Sequence, residues 1–244
     1  MNSYTIQRFC AWSGMAAVVL FFLAFIIAGF LPLPGPDMTQ AQVVALYQDN
    51  GPRILLGMLF MMASGMFMAP MIGVISQQMD RMEGVPSALS YAQITAGAAG
   101  ILFFILPAIL FIITAFRPDR PPEMTVMLND AAWITAVLPW PPAFMENTVI
   151  AIAILMDRSA VKVFPRWVAW ANLVVSGAFL PASALVFVKS GPFAWNGMFG
   201  FLIPGTVFTA WYVFMTWALL RAISEEEGVN RRVENPAGNA QRAW

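Results

Sequence analysis

A single carboxylate lies deep within an apolar part of this sequence, directly after a cluster of prolines. Residues 138–147 read LPWPPAFMEN, so Glu146 and Asn147 follow Trp140 and three prolines. A carboxyl group in such surroundings can carry a proton, balance the charge of a ligand or act as a general acid. An ionised carboxylate exposed to lipid costs several kcal/mol, so we expect Glu146 to face the interior of the protein.

The prolines predict that the helix containing Glu146 is divided in two. They cannot donate backbone hydrogen bonds, and residues that precede proline avoid helical torsion angles. Since proline is favoured in the first turn of a helix, we expect a second half from about Pro141 to Met156. Glu146 would then lie near the positive end of this half-helix. Irregular backbone within a membrane is tolerated only where protein or a polar cavity covers it, so the stretch predicts a small internal site.

We predict a ligand-binding site around this carboxylate, with tryptophans as walls and amides as polar partners. The predicted ligand-binding residues are Glu146, Asn147, Trp140, Trp133, Gln93 and Asn172. If the protein is an enzyme, Glu146 is the expected catalytic acid, and Trp140 or Trp133 stabilises a cation. If the carboxyl group is only structural, it is the neutral acid and hydrogen-bonds to freed carbonyls or to Gln93, Asn172, Ser176 or Asn196.

The composition excludes several other kinds of site. The chain has no histidine, which excludes catalysis by a nucleophile and histidine pair and disfavours most transition-metal and haem sites. The single cysteine, Cys10, excludes an intramolecular disulfide and a cysteine-based zinc cluster. The formal net charge is zero, so no basic surface indicates a nucleic acid partner. We expect neither a metal nor a cofactor.

The hydrophobic residues indicate an integral membrane protein. They make up 59% of the 244 residues, whereas charged residues make up 11%, against about a quarter in a soluble domain. Six apolar segments are long enough to cross about 30 Å of hydrocarbon: 11–31, 54–75, 91–116, 131–156, 167–188 and 193–220. We therefore predict an all-α bundle of six transmembrane helices over residues 1–223. The charged residues 224–244 are expected to form a disordered cytoplasmic tail.

Prolines inside five of these segments predict kinked helices. They are Pro70, Pro107, the group Pro139, Pro141 and Pro142, Pro181, and Pro204. Each proline removes a backbone donor and crowds the carbonyl four residues earlier, which bends the helix. Small residues at every fourth position, Gly65, Ala69 and Gly73 and then Ala92, Ala96 and Gly100, predict close packing of the second and third helices or self-association.

The distribution of basic residues predicts that both termini are cytoplasmic. With the N-terminus inside, nine basic residues fall on the inner side: Arg8, Arg81, Arg158, Lys162, Arg166, Arg221, Arg231, Arg232 and Arg242. Four fall outside: Arg53, Arg117, Arg120 and Lys189. The positive-inside rule favours this orientation in a cell (inner) membrane, although the margin is six to four without the three most distal arginines.

The loops contain two further helix signals. Asp37, with Gln40 three residues later, predicts the start of a short surface helix that stops at Asn50-Gly51. Asn129-Asp130 predicts the cap of the fourth span, after a loop over residues 117–130.

Three functions fit these observations. The first is a multi-pass membrane protein that binds or translocates a small apolar or lipid-like molecule, as a homo-oligomer, through a cavity near Glu146. The second is a non-catalytic accessory subunit of a larger membrane complex. The third is a membrane-embedded isomerase, hydratase or cyclase that uses acid chemistry on a lipophilic substrate.

Overall fold

The computed structural model describes residues 2–234, and the regular structure of these residues is entirely helical. The helices are α1 (Ser3–Ala28), α2 (Gln40–Met79), α3 (Ser87–Gly100), α4 (Leu102–Phe116), α5 (Pro122–Val137), α6 (Pro141–Met156), α7 (Arg166–Phe179) and α8 (Ile203–Glu234). A 3₁₀ helix, Leu180–Val186, continues α7, and one π-helical turn, Met198–Leu202, leads into α8.

Six helical units within residues 2–234 are long and apolar enough to cross a membrane, as the sequence predicted. They are α1, α2, α3 with α4, α5 with α6, α7 with its 3₁₀ extension, and the π-helical turn with α8. Most of the helical units extend beyond the predicted spans at one end or both. α8 continues through Glu234, so residues 224–234 of the expected disordered tail are helical. Residues 235–244 of that tail lie outside the described residues.

The helix α2 differs from the short surface helix predicted at its start. Thr39, not Asp37, caps it, in a capping box with Gln42. The helix then passes through Asn50-Gly51 without stopping and reaches 40 residues. The Asn50 side chain donates to the carbonyl of Leu46, one turn earlier, at 3.1 Å, and Pro52 lies inside the helix two residues later. The predicted stop was therefore wrong.

The predicted loop over residues 117–130 is also mostly helical. α5 begins at Pro122, where proline occupies the favoured first turn. Asn129 lies inside this helix instead of capping it, and its side-chain oxygen accepts a hydrogen bond from Tyr47 at 2.9 Å. This buried bond joins α5 to the first part of α2.

A close backbone contact joins α1 to α2 at a glycine outside the predicted stripes. A Cβ atom added at Gly57 would lie 2.6 Å from the carbonyl oxygen of Ala24. Of the predicted stripe in α2, Gly65 packs closely against Phe104 of α4, whereas a Cβ at Gly73 would meet nothing within 4 Å. Close packing of the second and third spans is thus seen at Gly65, and self-association through the stripe stays a prediction.

The two ends of the described chain lie together at one end of the bundle. Arg8 of α1 pairs with Glu227 of α8 at 2.6 Å, and Asn230 donates to the Tyr4 hydroxyl at 2.6 Å. Arg81, just after α2, pairs with Glu226 at 3.4 Å at the same end. Six helical units, an even number, bring the two ends of the described chain to the same end of the bundle.

Candidate functional site

The break between α5 and α6 lies where the prolines predicted it. α5 ends at Val137, and α6 begins at Pro141 and ends at Met156. In the connection, the Trp140 backbone N–H donates to the carbonyl of Leu138 at 2.7 Å. This tight turn satisfies one of the carbonyls that the prolines leave without a helical donor. The prediction of a divided fourth span is confirmed.

Glu146 lies in the second turn of α6 and is buried, with 6% of its surface exposed. Its Oε1 accepts a hydrogen bond from Gln93 Nε2 of α3 at 2.8 Å. The approach of α3 is possible because residue 97 is glycine: a Cβ atom there would lie 2.7 Å from Glu146 Oε1. The carboxyl group is thus held between two helices at a fixed position.

The side-chain amide of Asn147, the next residue, makes a hydrogen bond through its nitrogen but not, among the described residues, through its oxygen. Its Nδ2 donates to the Ala143 carbonyl at 2.7 Å. Its Oδ1 is buried and has no hydrogen-bond donor among the residues that the structure describes. Buried acceptors without a donor are rare because losing the hydrogen bond with water costs free energy.

A cavity of about 130 Å³ adjoins these two residues. Its polar end is formed by Glu146 and Asn147, and its walls are mainly aromatic and aliphatic. Prominent wall residues are Phe21, Phe104, Trp140, Phe208, Trp211 and Tyr212. Residues of α1, α2, α6, α7 and α8 all contribute, so the cavity lies inside the bundle. An apolar pocket with a few polar groups at one point is the usual form of a small-molecule site.

Three of the six predicted site residues line this cavity: Glu146, Asn147 and Trp140. Trp140 is fixed by a hydrogen bond from its Nε1 to Ser183 Oγ at 2.8 Å. Two more predicted residues do not line the cavity but hydrogen-bond to residues that do. Gln93 holds the carboxyl group, and Asn172 Oδ1 accepts from the Nε1 of Trp211, a wall residue, at 2.9 Å.

Trp133 does not line the cavity and lies in α5 about two turns before Trp140. It is fully buried among aromatic rings and stacks on Trp195, with ring centroids 6.3 Å apart. Phe30 and Phe111 complete this cluster. Trp133 therefore packs the core of the bundle and is not among the residues that line the cavity.

The sequence prediction missed the contribution of α8. Phe208, Trp211 and Tyr212 project from this helix onto the cavity. Their spacing of three and four residues places them on one helical face, and Pro204 lies one turn before them. An aromatic face beside an internal proline was therefore a signal available in the sequence.

The site can bind and orient a small molecule, and the carboxyl group can exchange a proton with it. Within residues 2–234, no group of three or more histidine, cysteine or acidic side chains gathers in a form that could hold a metal ion. No protein-family model matches this chain, and no curated protein or solved structure matches it significantly. The function is therefore inferred from the geometry of the site.

Proposed function

We propose that this chain is a multi-pass membrane protein that binds or translocates a small apolar or lipid-like molecule through the cavity beside Glu146. The observation that carries the proposal is an apolar internal cavity whose wall contains two adjacent polar side chains, Glu146 and Asn147. The apolar walls would supply the affinity for such a molecule, and the polar pair would fix its orientation.

The size of the cavity supports a small ligand or a small part of a larger one. Its volume is about 130 Å³, and an apolar protein cavity of about 150 Å³ is large enough to bind benzene. A longer molecule would place one end against Glu146 and Asn147 and leave the rest between helices. The flexible thioethers of Met61 and Met68 in the wall would adapt to differences in ligand shape.

The same proposal includes an orientation with both termini in the cytoplasm of a cell. In support, the end of the bundle that holds the Arg8 and Glu227 pair also contains the loop after α2, where Arg81 pairs with Glu226. The loop after α6 lies at this end too, since the backbone N–H of Arg158 donates to the Glu83 carbonyl. Most of the basic residues outside the apolar segments belong to this end. Cytoplasmic loops are those that carry the excess of lysine and arginine.

A variant that fills the cavity tests the proposal. A Cβ atom at Gly100, which lines the cavity, would meet nothing within 4 Å, so leucine at this position enters free space. Gly177 also has nothing within 4 Å of an added Cβ, but it is exposed on α7 and does not line the cavity. Gly177→Leu is therefore the matched control for Gly100→Leu.

The measurement is the identity of the small molecules that co-purify with each variant in mild detergent, by native mass spectrometry. We expect one molecule with the wild type and with Gly177→Leu, and its loss from Gly100→Leu. Equal retention by all three proteins would place the molecule elsewhere. A stoichiometric partner protein in all three, with no small molecule, would overturn the proposal in favour of an accessory subunit.

A further inference from the structure

The hydrogen-bonding groups of the cavity wall are unequally divided between donors and acceptors. The Nε1 groups of Trp140 and Trp211 already donate to Ser183 and Asn172, at 2.8 and 2.9 Å. The Nδ2 of Asn147 already donates to a backbone carbonyl at 2.7 Å. Each of these three nitrogens thus already donates one hydrogen bond within the protein.

The acceptors, in contrast, remain available. Asn147 lines the cavity, is 3% exposed, and its Oδ1 has no donor within the described part of the chain. Glu146 uses Oε1 for Gln93, and no donor to its Oε2 lies within hydrogen-bond distance in residues 2–234. The Tyr212 hydroxyl, which both donates and accepts, is the one remaining polar group among the lining residues.

The charged groups of the wall also favour a ligand that donates hydrogen bonds and carries positive charge. Glu146 is the ionisable acid of the cavity, and none of the described lining residues is lysine or arginine. A ligand carboxylate or phosphate would thus find no cation, and the ionised Glu146 carboxylate would repel it. A cation would find a carboxylate, the free amide oxygen, and the aromatic rings of Trp140, Trp211 and Tyr212 among the lining residues; the face of such a ring attracts positive charge.

We infer that the ligand of this cavity has an apolar body and an ammonium head, which donates hydrogen bonds to Glu146 and Asn147. This inference rests on the proposed function and specifies the chemical class of its ligand. In the bound state the ammonium would supply the donor that Asn147 Oδ1 lacks and the countercharge that Glu146 lacks.

Four probes with the same ring separate the contributions of shape, hydrogen bonding and charge: benzylammonium, benzyl alcohol, toluene and benzoate. Their binding to the purified protein is measured by titration calorimetry, with titration into empty micelles as the blank. We expect benzylammonium to bind about tenfold more tightly than benzyl alcohol, because charge-assisted hydrogen bonds are about twice as strong as neutral ones. Toluene should bind more weakly than both, and benzoate should not bind.

Two site variants and one control assign the effect to residues. Glu146→Gln keeps the size of the side chain, so it should bind toluene unchanged while benzylammonium falls to the level of benzyl alcohol. Asn147→Leu should weaken benzylammonium and benzyl alcohol about tenfold and leave toluene unchanged. Thr148→Val is the control, because Thr148 follows on the same helix, bonds its own turn at 2.7 Å and does not line the cavity.

The outcomes test the ammonium inference separately from the proposed function. If toluene binds but benzylammonium binds no more tightly than benzyl alcohol, the ammonium inference is wrong and the cavity remains a binding site. The same holds if benzoate binds as tightly as benzylammonium. If none of the four probes binds to the folded wild type, the cavity is not a binding site for molecules of this size and the proposed function fails with it.

Discussion

Glu146 depends on a neighbour that has no side chain. Gly97 lets α3 approach so closely that a Cβ atom there would lie 2.7 Å from Glu146 Oε1 and 2.8 Å from Ile72 Cγ2. The hydrogen bond from Gln93, one turn earlier in α3, spans the same interface at 2.8 Å. The position of the carboxyl group is therefore set jointly by a glycine and an amide on one helix.

Alanine at position 97 should disturb this arrangement. Overpacking costs about 1–3 kcal/mol, and the better helix propensity of alanine returns about 1 kcal/mol. We expect Gly97→Ala to lower the free energy of unfolding by about 1 kcal/mol, because the Glu146 side chain must move. Unfolding in mixed micelles of increasing SDS content measures this difference.

Gly73→Ala is the comparison, since a Cβ atom at this helical position would meet nothing within 4 Å. This variant should be as stable as the wild type or slightly more stable. If Gly97→Ala matched Gly73→Ala in stability, the close contact between α3 and the carboxyl group would not exist as described.

Residue identity alone could not have singled out Gly97. The sequence contains 17 glycines, and the predicted stripes contain Gly65, Gly73 and Gly100 but omit Gly97. Regular spacing identifies a face on one helix, whereas a close approach depends on which face the neighbouring helix meets. Glu146, in contrast, was predictable because a carboxylate within an apolar span stands out in the sequence itself.

Among the helices, the break between α5 and α6 is the element that shapes the site. Trp140 lies in this break, lines the cavity and donates to Ser183 Oγ of the 3₁₀ helix at 2.8 Å. The bond joins the two irregular parts of neighbouring membrane segments. It should therefore hold the connection at a fixed distance from α7.

A double-mutant cycle tests this bond. Trp140→Phe and Ser183→Ala should each lower the free energy of unfolding, and their effects should not add. We expect a coupling of about 0.5–1.5 kcal/mol, the net contribution of a typical hydrogen bond. Additive effects within 0.3 kcal/mol, about the error of such cycles, would show that the two side chains do not interact.

The sequence predicted this break well and the course of α2 badly, for one physical reason. Proline acts through its own backbone, and three prolines near Trp140 together remove three helical donors, whereas the single Pro52 does not end α2. Asn50-Gly51 only weakens a helix, and tertiary contacts override the weakness. Tyr47 bonds Asn129 before this point, and Arg53 donates to the Ile27 carbonyl at 3.1 Å after it. Neither contact is visible in a local pattern.

At the scale of the whole molecule, a network of polar side chains closes one end of the bundle. Gln78 Nε2 donates to Gln7 Oε1 at 2.8 Å and to Glu226 at 3.2 Å, which joins α2 to α1 and α8. The ion pairs of Arg8 and Arg81 with α8 surround it. The cavity beside Glu146 lies farther inside the bundle, between apolar walls.

This end of the bundle is the one that we propose to be cytoplasmic. Reporter fusions test the orientation: a fluorescent protein at either terminus should fluoresce, and alkaline phosphatase at either terminus should be inactive. Phosphatase inserted after Lys189, in a loop at the opposite end, should be active. Active phosphatase at the termini would reverse the orientation, and activity at one terminus only would contradict the even number of crossings.

The most direct test of the proposed binding site is the electron density of the cavity in crystals of the wild type and Gly100→Leu, both purified in mild detergent. We predict continuous density between Trp211 and the side chains of Glu146 and Asn147 in the wild type. The leucine variant should show its own side chain in that space and no further density. A wild-type cavity filled by rotated protein side chains, with Asn147 Oδ1 bonded to the protein, would contradict the existence of a binding site there.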